Sequence, residues 1–109
     1  MANTIIVQTT IDSRDGAHRI GQALVERRLA ACAQISGPIA STYWWQGQME
    51  HAEEWVCAVK TTQDLYEPLE RAIHELHSYK TPEIVVTPII AGSKSYLEWI
   101  KAETSALVP

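Results

Sequence analysis

Two residues able to bind a metal ion lie close together in the sequence. His77 and Glu83 are six residues apart and flank a predicted helix-to-strand connection, so a loop there can bring an imidazole and a carboxylate onto one ion. Such a pair suits Cu(II), Zn(II) or Ni(II). The alternative is that His77 donates a hydrogen bond at the helix C-terminus while Glu83 pairs with a Lys or Arg. From the residues alone this alternative is favoured, because two ligands do not define a site.

The other potential ligands have simpler explanations. His51 lies among three nearby glutamates, and a charged strand edge of this kind more often prevents aggregation than binds metal. His74 and His77 have a helical spacing that can bind metal, but exposed histidine pairs commonly bind nothing. Cys32 and Cys57 have only Ala or Val as neighbours. We therefore expect both cysteines to behave as small buried hydrophobic residues.

Enzymatic chemistry finds little support in the motifs. The sequence contains no GxSxG, HExxH, GxGxxG or GxxxxGK[ST] motif, so hydrolases with a nucleophile elbow, zincins, dinucleotide-binding enzymes and P-loop enzymes are not indicated. Ferredoxin-like acylphosphatases need an anion-binding Arg after the first strand, but Arg14 stands between Asp12 and Asp15 here. We predict that the protein is not an enzyme and uses no organic cofactor.

The composition is that of an ordinary folded domain. The 109 residues suit one domain over 1–109, with 46% hydrophobic and 20% charged residues. The net charge of −4 argues against nucleic acid as a partner. Apolar runs fall short of the roughly 20 residues of a membrane span, so no membrane partner is expected. Two cysteines are too few for a disulfide scaffold and no signal peptide is recognisable, so we expect a cytoplasmic location.

Hydrophobic periodicity predicts the elements that would position these residues. Apolar residues at helical spacing indicate amphipathic helices, and short β-branched runs indicate buried strands. In chain order we predict a strand over 4–10, a helix over about 13–30, two long strands within 32–61, a helix over 63–77, a strand within 84–90, and a last helix after the N-cap Ser93.

The two long strands are predicted to form one β-hairpin. Residues 46–48 read as a tight turn in which Gly47 can take a positive φ. Gly37-Pro38 interrupts the first arm, so we expect a bulge or a free edge there. With the turn at Gly47, Cys57 lies opposite about position 37, too far from Cys32 for a disulfide.

The element order β-α-β-β-α-β defines the predicted fold class. It indicates an α+β protein, a ferredoxin-like two-layer sandwich with an extended β-hairpin and an extra C-terminal helix. Its predicted strands carry apolar residues on both faces, whereas the predicted helices cover only one. We therefore predict a homo-oligomer that packs sheet against sheet. The alternative is that the C-terminal segment folds back over the second face, although a short tail covers little area.

Aromatic residues of the hairpin support the oligomer. A large aromatic surface near a hairpin tip would otherwise stand in water, and Trp and Tyr are favoured at interface centres. The residues expected at the interface between subunits are Tyr43, Trp44, Trp45 and Trp55.

Five stretches of the sequence together resemble the CutA divalent-cation-tolerance proteins. They spread over nearly the whole chain and read LVERRLAACA at 24–33, YWWQG at 43–47, KT at 60–61, HSYKTPEI at 77–84 and YLEWI at 96–100. The resemblance implies a ferredoxin-like subunit in a tight homotrimer, with sheets inward and helices outside. It also implies a link to copper or other divalent cations and no established catalytic activity.

The resemblance also implies metal ligands. In some members, copper binding is attributed to a Cys near the end of the first strand, a His before the Tyr-x-Thr-Pro-Glu stretch, and that Glu. The latter two correspond to His77 and Glu83, whereas the first falls on Thr9 or its neighbour Gln8. The soft ligand that Cu(I) favours is therefore missing, and Cu(II) or another divalent cation is the expected ion.

Three functions remain open from the sequence. The first is a cytoplasmic homotrimer that takes part in divalent-cation (copper) tolerance and binds a divalent metal ion. The second is a regulatory module resembling the PII-type trimers, with a small ligand in the clefts between subunits, which is an analogy from fold alone. The third is a purely structural or anchoring trimer.

Overall fold

A computed structural model describes residues 3–105 and contains one four-stranded antiparallel sheet with helices on both faces. The strands have the order β2-β3-β1-β4. In chain order the elements are β1 (Thr4–Ile11), α1 (Arg14–Glu26), β2 (Cys32–Trp45), β3 (Gln48–Thr62), a 3-10 turn (Gln63–Leu65), α2 (Tyr66–Leu76), β4 (Val85–Pro88) and α3 (Lys94–Ser105). The predicted α+β class and element order are confirmed.

Helix α1 ends earlier than its apolar pattern suggested. Arg28 adopts a left-handed conformation with φ of 60°, and the N–H groups of Leu29 and Ala30 both donate to the Leu24 carbonyl. Leu29 and Ala30 stay buried although they lie outside the helix. The predicted end near residue 30 was wrong because these two residues extend the hydrophobic pattern through the turn that closes the helix.

The core lies between the sheet and helices α1 and α2. On β1, the residues facing these helices are buried, including Ile5, Val7 and Ile11. Cys57 on β3 faces the same way and is 1% exposed, beside Gly21 of α1. Since alternate residues of a strand point to opposite faces, the remaining residues of β1 and β3 define the second face of the sheet.

The predicted bulge at Gly37-Pro38 is present and changes which residues share a face. Ser36 pairs with Val56 and Ile39 with Glu54, so β2 carries one extra residue between these pairs. Ile35 therefore packs against the core, whereas Ile39 lies on the second face. The alternation predicted for this strand does not continue through the bulge.

The hairpin formed by β2 and β3 projects beyond the rest of the sheet. Strand β1 pairs with β3 only from Trp55 to Thr62, so the distal arms, residues 39–54, have no third strand beside them. The turn has φ of 51° at Gln46 and 79° at Gly47. Cys57 pairs with Ile35 rather than with position 37, and both cysteines are free thiols.

Helix α3 covers one end of the second face. Cys32 and Lys60 form a cross-strand pair on this face, and both contact Tyr96 of α3. The Cys32 sulfur lies 3.8 Å from the Tyr96 hydroxyl, and the Lys60 ammonium lies 5.7 Å from the ring centroid. Ile100 of α3 is fully buried. The expectation that helices cover only one face is thus wrong at this end, because α3 packs there. No helix within residues 3–105 is long and apolar enough to cross a membrane.

Candidate functional site

The connection from α2 to β4 begins with a histidine that holds it against β1. His77 is 9% exposed and its backbone N–H donates to the Ile73 carbonyl. On the side chain, Nε2 lies 2.8 Å from the Thr10 carbonyl oxygen, and Nδ1 accepts from the Tyr79 N–H at 3.0 Å. A carbonyl only accepts and an N–H only donates, so the ring is neutral with its proton on Nε2.

Tyr79 links His77 to Glu54 on β3 through a second hydrogen bond. Its ring centroid lies 4.7 Å from that of His77, and its hydroxyl donates to Glu54 Oε2 at 2.8 Å. Burial and the neighbouring Glu54 carboxylate raise the pKa of Tyr79 well above its ordinary value, so the hydroxyl stays protonated. Glu54 is itself only 6% exposed. The expectation that the glutamates around His51 form a solvated edge is therefore wrong for Glu54, which this part-buried hydrogen bond stabilises.

Glu83 lies at the far end of the same connection and remains exposed. Its Oε2 accepts a hydrogen bond from the Gln8 side-chain amide at 3.0 Å. The alternative that Glu83 pairs with a Lys or Arg is not realised among the described residues. His77 and Glu83 thus both contact β1, at Thr10 and Gln8, and each is already hydrogen-bonded.

The described residues of one chain do not form a ready-made metal site. Within residues 3–105, no three His, Cys, Asp or Glu side chains cluster closely enough to hold an ion. Both ring nitrogens of His77 are engaged, so binding a metal would break one of its hydrogen bonds. Of the two positions, Gln8 and Thr9, that the resemblance matches to the Cys of some members, Thr9 is 1% exposed and its hydroxyl has no hydrogen-bond partner among the described residues. The metal assignment of His77 and Glu83 stays a prediction.

The hairpin and the α2–β4 connection enclose a cleft, which we call the aromatic cleft. Its volume is about 530 Å³, and it is lined by Tyr43, Trp44, Trp45, Tyr79, Lys80, Thr81, Pro82 and Glu83. A smaller pocket of about 330 Å³, the acidic pocket, is lined by Thr10, Ser41, Thr42, Tyr43, Glu54 and Glu83. Tyr43 and Glu83 line both, so the two spaces adjoin. Sequence reasoning missed this cleft because its walls are 34 or more residues apart in the chain.

Three of the four predicted interface residues are exposed. Tyr43 is 41%, Trp44 74% and Trp45 46% exposed, on the projecting part of the hairpin. Trp55 instead is half-buried and packs against the core, with its indole next to Gly37. The exposed aromatic surface therefore comprises the first three, and the interface role of all four stays a prediction.

Comparison with known proteins identifies the family. A sequence model described as "CutA1 divalent ion tolerance protein" matches residues 5–103. The chain belongs to this family. Its description names tolerance of divalent ions and no reaction.

The CutA relatives match over most of the chain. The divalent-cation tolerance protein CutA of Thermus thermophilus is 40% identical over 99 residues, which cover 91% of this chain and 96% of that protein. The chloroplastic protein CutA of Arabidopsis thaliana is 37% identical over 101 residues, or 93% of this chain and 56% of that protein. The chain thus spans little more than half the length of the plant protein.

Solved CutA structures have the same fold. The Thermus thermophilus structure has a TM-score of 0.90 at 40% identity, covering 93% of this chain and 98% of that one. CutA1 from Oryza sativa has a TM-score of 0.91 at 32% identity, covering 94% of each chain. These matches confirm the family predicted from the sequence, and the four-stranded architecture agrees with the CutA structures.

Proposed function

We propose that this protein takes part in divalent-cation tolerance as a homotrimer that binds Cu(II) or another divalent cation weakly. The observation that carries the assembly is the exposed apolar surface of the single chain. Its large exposed apolar residues include Ile39, Tyr43, Trp44, Trp45, Met49, Val85, Val86 and Ile90. Large exposed apolar patches usually mark an interface. The number three comes from the resemblance to the family.

The position of these residues supports packing through the sheet. Ile39, Tyr43 and Trp45 are separated by four and two positions along β2, so they share the second face of the hairpin. Helix α3 covers the opposite end of that face, near Cys32 and Lys60. A second copy would therefore cover the end that α3 leaves open, while α1 and α2 remain on the outside.

The metal would be bound weakly because its two proposed ligands are already engaged. Glu83 is the accessible one, since it is exposed and uses one carboxylate oxygen for Gln8. His77 must give up a hydrogen bond to Thr10 or to the Tyr79 N–H before a ring nitrogen reaches an ion. A lost hydrogen bond costs on the order of 1 kcal/mol, or roughly fivefold in affinity.

Two measurements on one preparation test this proposal. Sedimentation equilibrium at micromolar concentration should give three times the mass of one chain, and a stable single-chain particle would contradict it. Cu(II) titration followed by electron paramagnetic resonance should show imidazole coordination in the wild type. Glu83→Gln and His77→Ala should both weaken binding, whereas the control Glu98→Gln on α3 should not. Equal binding by all four proteins would remove His77 and Glu83 from the site.

The cytoplasmic location remains part of the proposal. It is supported by two free thiols, Cys32 and Cys57, since reduced cysteines are typical of cytosolic proteins. The names of two relatives point to other compartments for those proteins, the chloroplast for the Arabidopsis protein and the periplasm for that of Archaeoglobus fulgidus. Fractionation of cells carrying the tagged protein would decide the location of this one.

A second candidate function, a regulatory module that binds a small ligand, is favoured by the aromatic cleft. The cleft and the acidic pocket together have the size, the apolar lining and the few convergent polar groups that are typical of small-molecule sites.

A further inference from the structure

We propose that helix α2 carries a separate site for a divalent transition-metal ion, formed by Glu70 and His74. The two residues lie one helical turn apart, at i and i+4, and His74 Nε2 is 3.6 Å from Glu70 Oε2. Residues with this spacing are neighbours on a helix surface, and an imidazole with a carboxylate suits Zn(II) or Cu(II). This inference goes beyond the proposed function, whose metal ligands are His77 and Glu83.

The separation of the two donor atoms fits two ligands of one ion. Zn(II) binds carboxylate oxygen and imidazole nitrogen at about 2.0–2.2 Å, with tetrahedral coordination. Two such bonds at the tetrahedral angle place their donor atoms about 3.4 Å apart, close to the 3.6 Å between Glu70 and His74. This distance exceeds the roughly 2.7–3.2 Å of an N–H···O hydrogen bond. The direct contact is therefore weak, and little is lost when an ion separates the two side chains.

Both donor atoms are accessible, unlike those of His77. The side chains of His74 and Glu70 are 51% and 42% exposed. No third His, Cys, Asp or Glu within residues 3–105 is close enough to join them, so water would complete the coordination and the ion would exchange readily. The ring of His77 is instead engaged with Thr10 and Tyr79. The pairing of His74 with His77 that their spacing allows is thus not realised, and His74 faces the carboxylate one turn before it.

A third residue of the same row holds Glu70 in place. Tyr66 precedes Glu70 by one turn, and its pKa is raised by burial, by the charge of the Glu70 carboxylate and by a hydrogen bond to that carboxylate. A protonated tyrosine donates this bond and leaves the carboxylate charged. Carboxylates that bind metals are commonly held by such a hydrogen bond from a neighbouring group. Glu70 therefore lies between a donor that orients it and the imidazole of His74.

The site lies away from the surface through which copies are proposed to pack. Helix α2 buries Leu69, Ala72 and Ile73 in the core between itself and the sheet, whereas Glu70 and His74 lie off this buried face of the helix. The proposed packing uses the second face of the sheet, opposite to α1 and α2. Assembly therefore leaves the pair in contact with solvent, and each chain carries its own complete pair.

A zinc titration followed by nuclear magnetic resonance tests the site atom by atom. Proton–nitrogen correlation spectra of the labelled wild-type protein report on each imidazole nitrogen, and the His74 resonances are assigned by their loss in His74→Gln. His74 Nε2 should shift at lower zinc concentration than the ring of His18. His18 is the matched control, since it is exposed on α1 and no ion pair involves it within residues 3–105. Shifts of the two histidines at equal zinc concentrations, or no shift of His74 at millimolar zinc, would overturn the proposal.

Variants on α2 identify the groups that act with the histidine. The affinity read from the His74 shift should fall at least about tenfold in Glu70→Gln, because even a residue that only supports a ligand typically contributes about 10–100-fold. Tyr66→Phe should weaken binding about fivefold. Arg71→His should strengthen it by adding a third imidazole three residues before His74, whereas Glu98→Gln on α3 should leave it unchanged. Thermal melts confirm that each variant folds. Unchanged affinity in Glu70→Gln would show that the histidine binds zinc alone and would refute the site.

The result is distinguishable from that of the first metal proposal. The same titration is run on Glu83→Gln, and the Cu(II) titration is repeated on His74→Gln. A His74 shift that persists in Glu83→Gln supports the present inference even where the first site fails. Metal that acts on the resonances of His77 and leaves those of His74 unchanged would refute this inference and leave the first proposal standing.

Discussion

Alkaline conditions should destabilise the protein through one buried thiol. Cys57 is 1% exposed between the sheet and α1, and burial raises the pKa of its thiol from 9.0 to about 11. Between these two values the unfolded chain releases the Cys57 proton while the folded chain retains it. The unfolded state then binds fewer protons, so the free energy of unfolding falls as the pH rises.

The size of the effect follows from the two pKa values. One pH unit corresponds to about 1.4 kcal/mol, so the full interval from 9 to 11 represents about 2.7 kcal/mol. The stabilisation is complete below pH 9, and about 1 kcal/mol of it should already be lost by pH 10. Above pH 11 the thiol ionises in both states and contributes no further change.

Urea unfolding of wild type and Cys57→Ala at pH 8 to 10.5, with a reducing agent, measures this contribution. At pH 8 the variant should be less stable by about 1 kcal/mol, because its smaller side chain leaves a cavity. This difference should shrink as the pH rises and vanish near pH 10, since only the wild type has the buried thiol. Cys32→Ala, at the half-buried thiol, is the matched control and should parallel the wild type. A Cys57→Ala curve that also parallels the wild type would refute the reasoning.

Three further substitutions test the packing around the site. Gly37→Ala should lower the free energy of unfolding by about 2 kcal/mol, because φ is +148° and the new Cβ would lie 2.5 Å from Trp55 Cδ1; an unchanged urea midpoint would contradict this. Thr9→Val should raise the melting temperature, since it removes a buried hydroxyl without a partner worth about 1 kcal/mol; a lower melting temperature would show that the hydroxyl is satisfied. Tyr79→Phe should lower the free energy of unfolding by about 1–3 kcal/mol, because Glu54 loses the hydroxyl that donates to it. In the double variant Tyr79→Phe/Glu54→Gln most of this loss should be recovered, because no carboxylate is then left without its donor.

The order of the elements could be predicted from the sequence because helices and strands differ in the spacing of their hydrophobic residues. The helix pattern around Ile20 and Leu24 and the strand pattern of β1 are local properties, and the structure confirms both. The ends of the elements were predicted less accurately, because a residue can be buried, as the hydrophobic pattern requires, without being part of the helix. Leu29 and Ala30 are buried as the pattern requires, yet the chain has already left the helix at Arg28.

The candidate site was harder to predict because its contacts are distant in sequence. Glu54 sits in a run of acidic residues that reads as a solvated edge, and only its partner Tyr79, 25 residues later, explains its burial. The bulge was predicted from Gly37-Pro38, but its effect on which face of the sheet the later residues of β2 occupy was not. By shifting the phase of β2, it places Tyr43 and Trp45 on the same face as Glu54, where they wall the cleft.

The hydrogen bonds of His77 change how a variant at this residue must be interpreted. The ring joins the α2–β4 connection to β1 through Thr10 and orders the backbone at Tyr79, which in turn bonds Glu54. His77→Ala would remove both bonds of the ring and leave the Tyr79–Glu54 bond without the support of the histidine. Loss of Cu(II) binding in that variant could therefore follow from a displaced connection. Glu83 is exposed and has one contact, to Gln8. Glu83→Gln preserves the shape of the side chain and removes only its charge, and it therefore provides the more direct evidence for a ligand, metal or organic, at this end of the sheet.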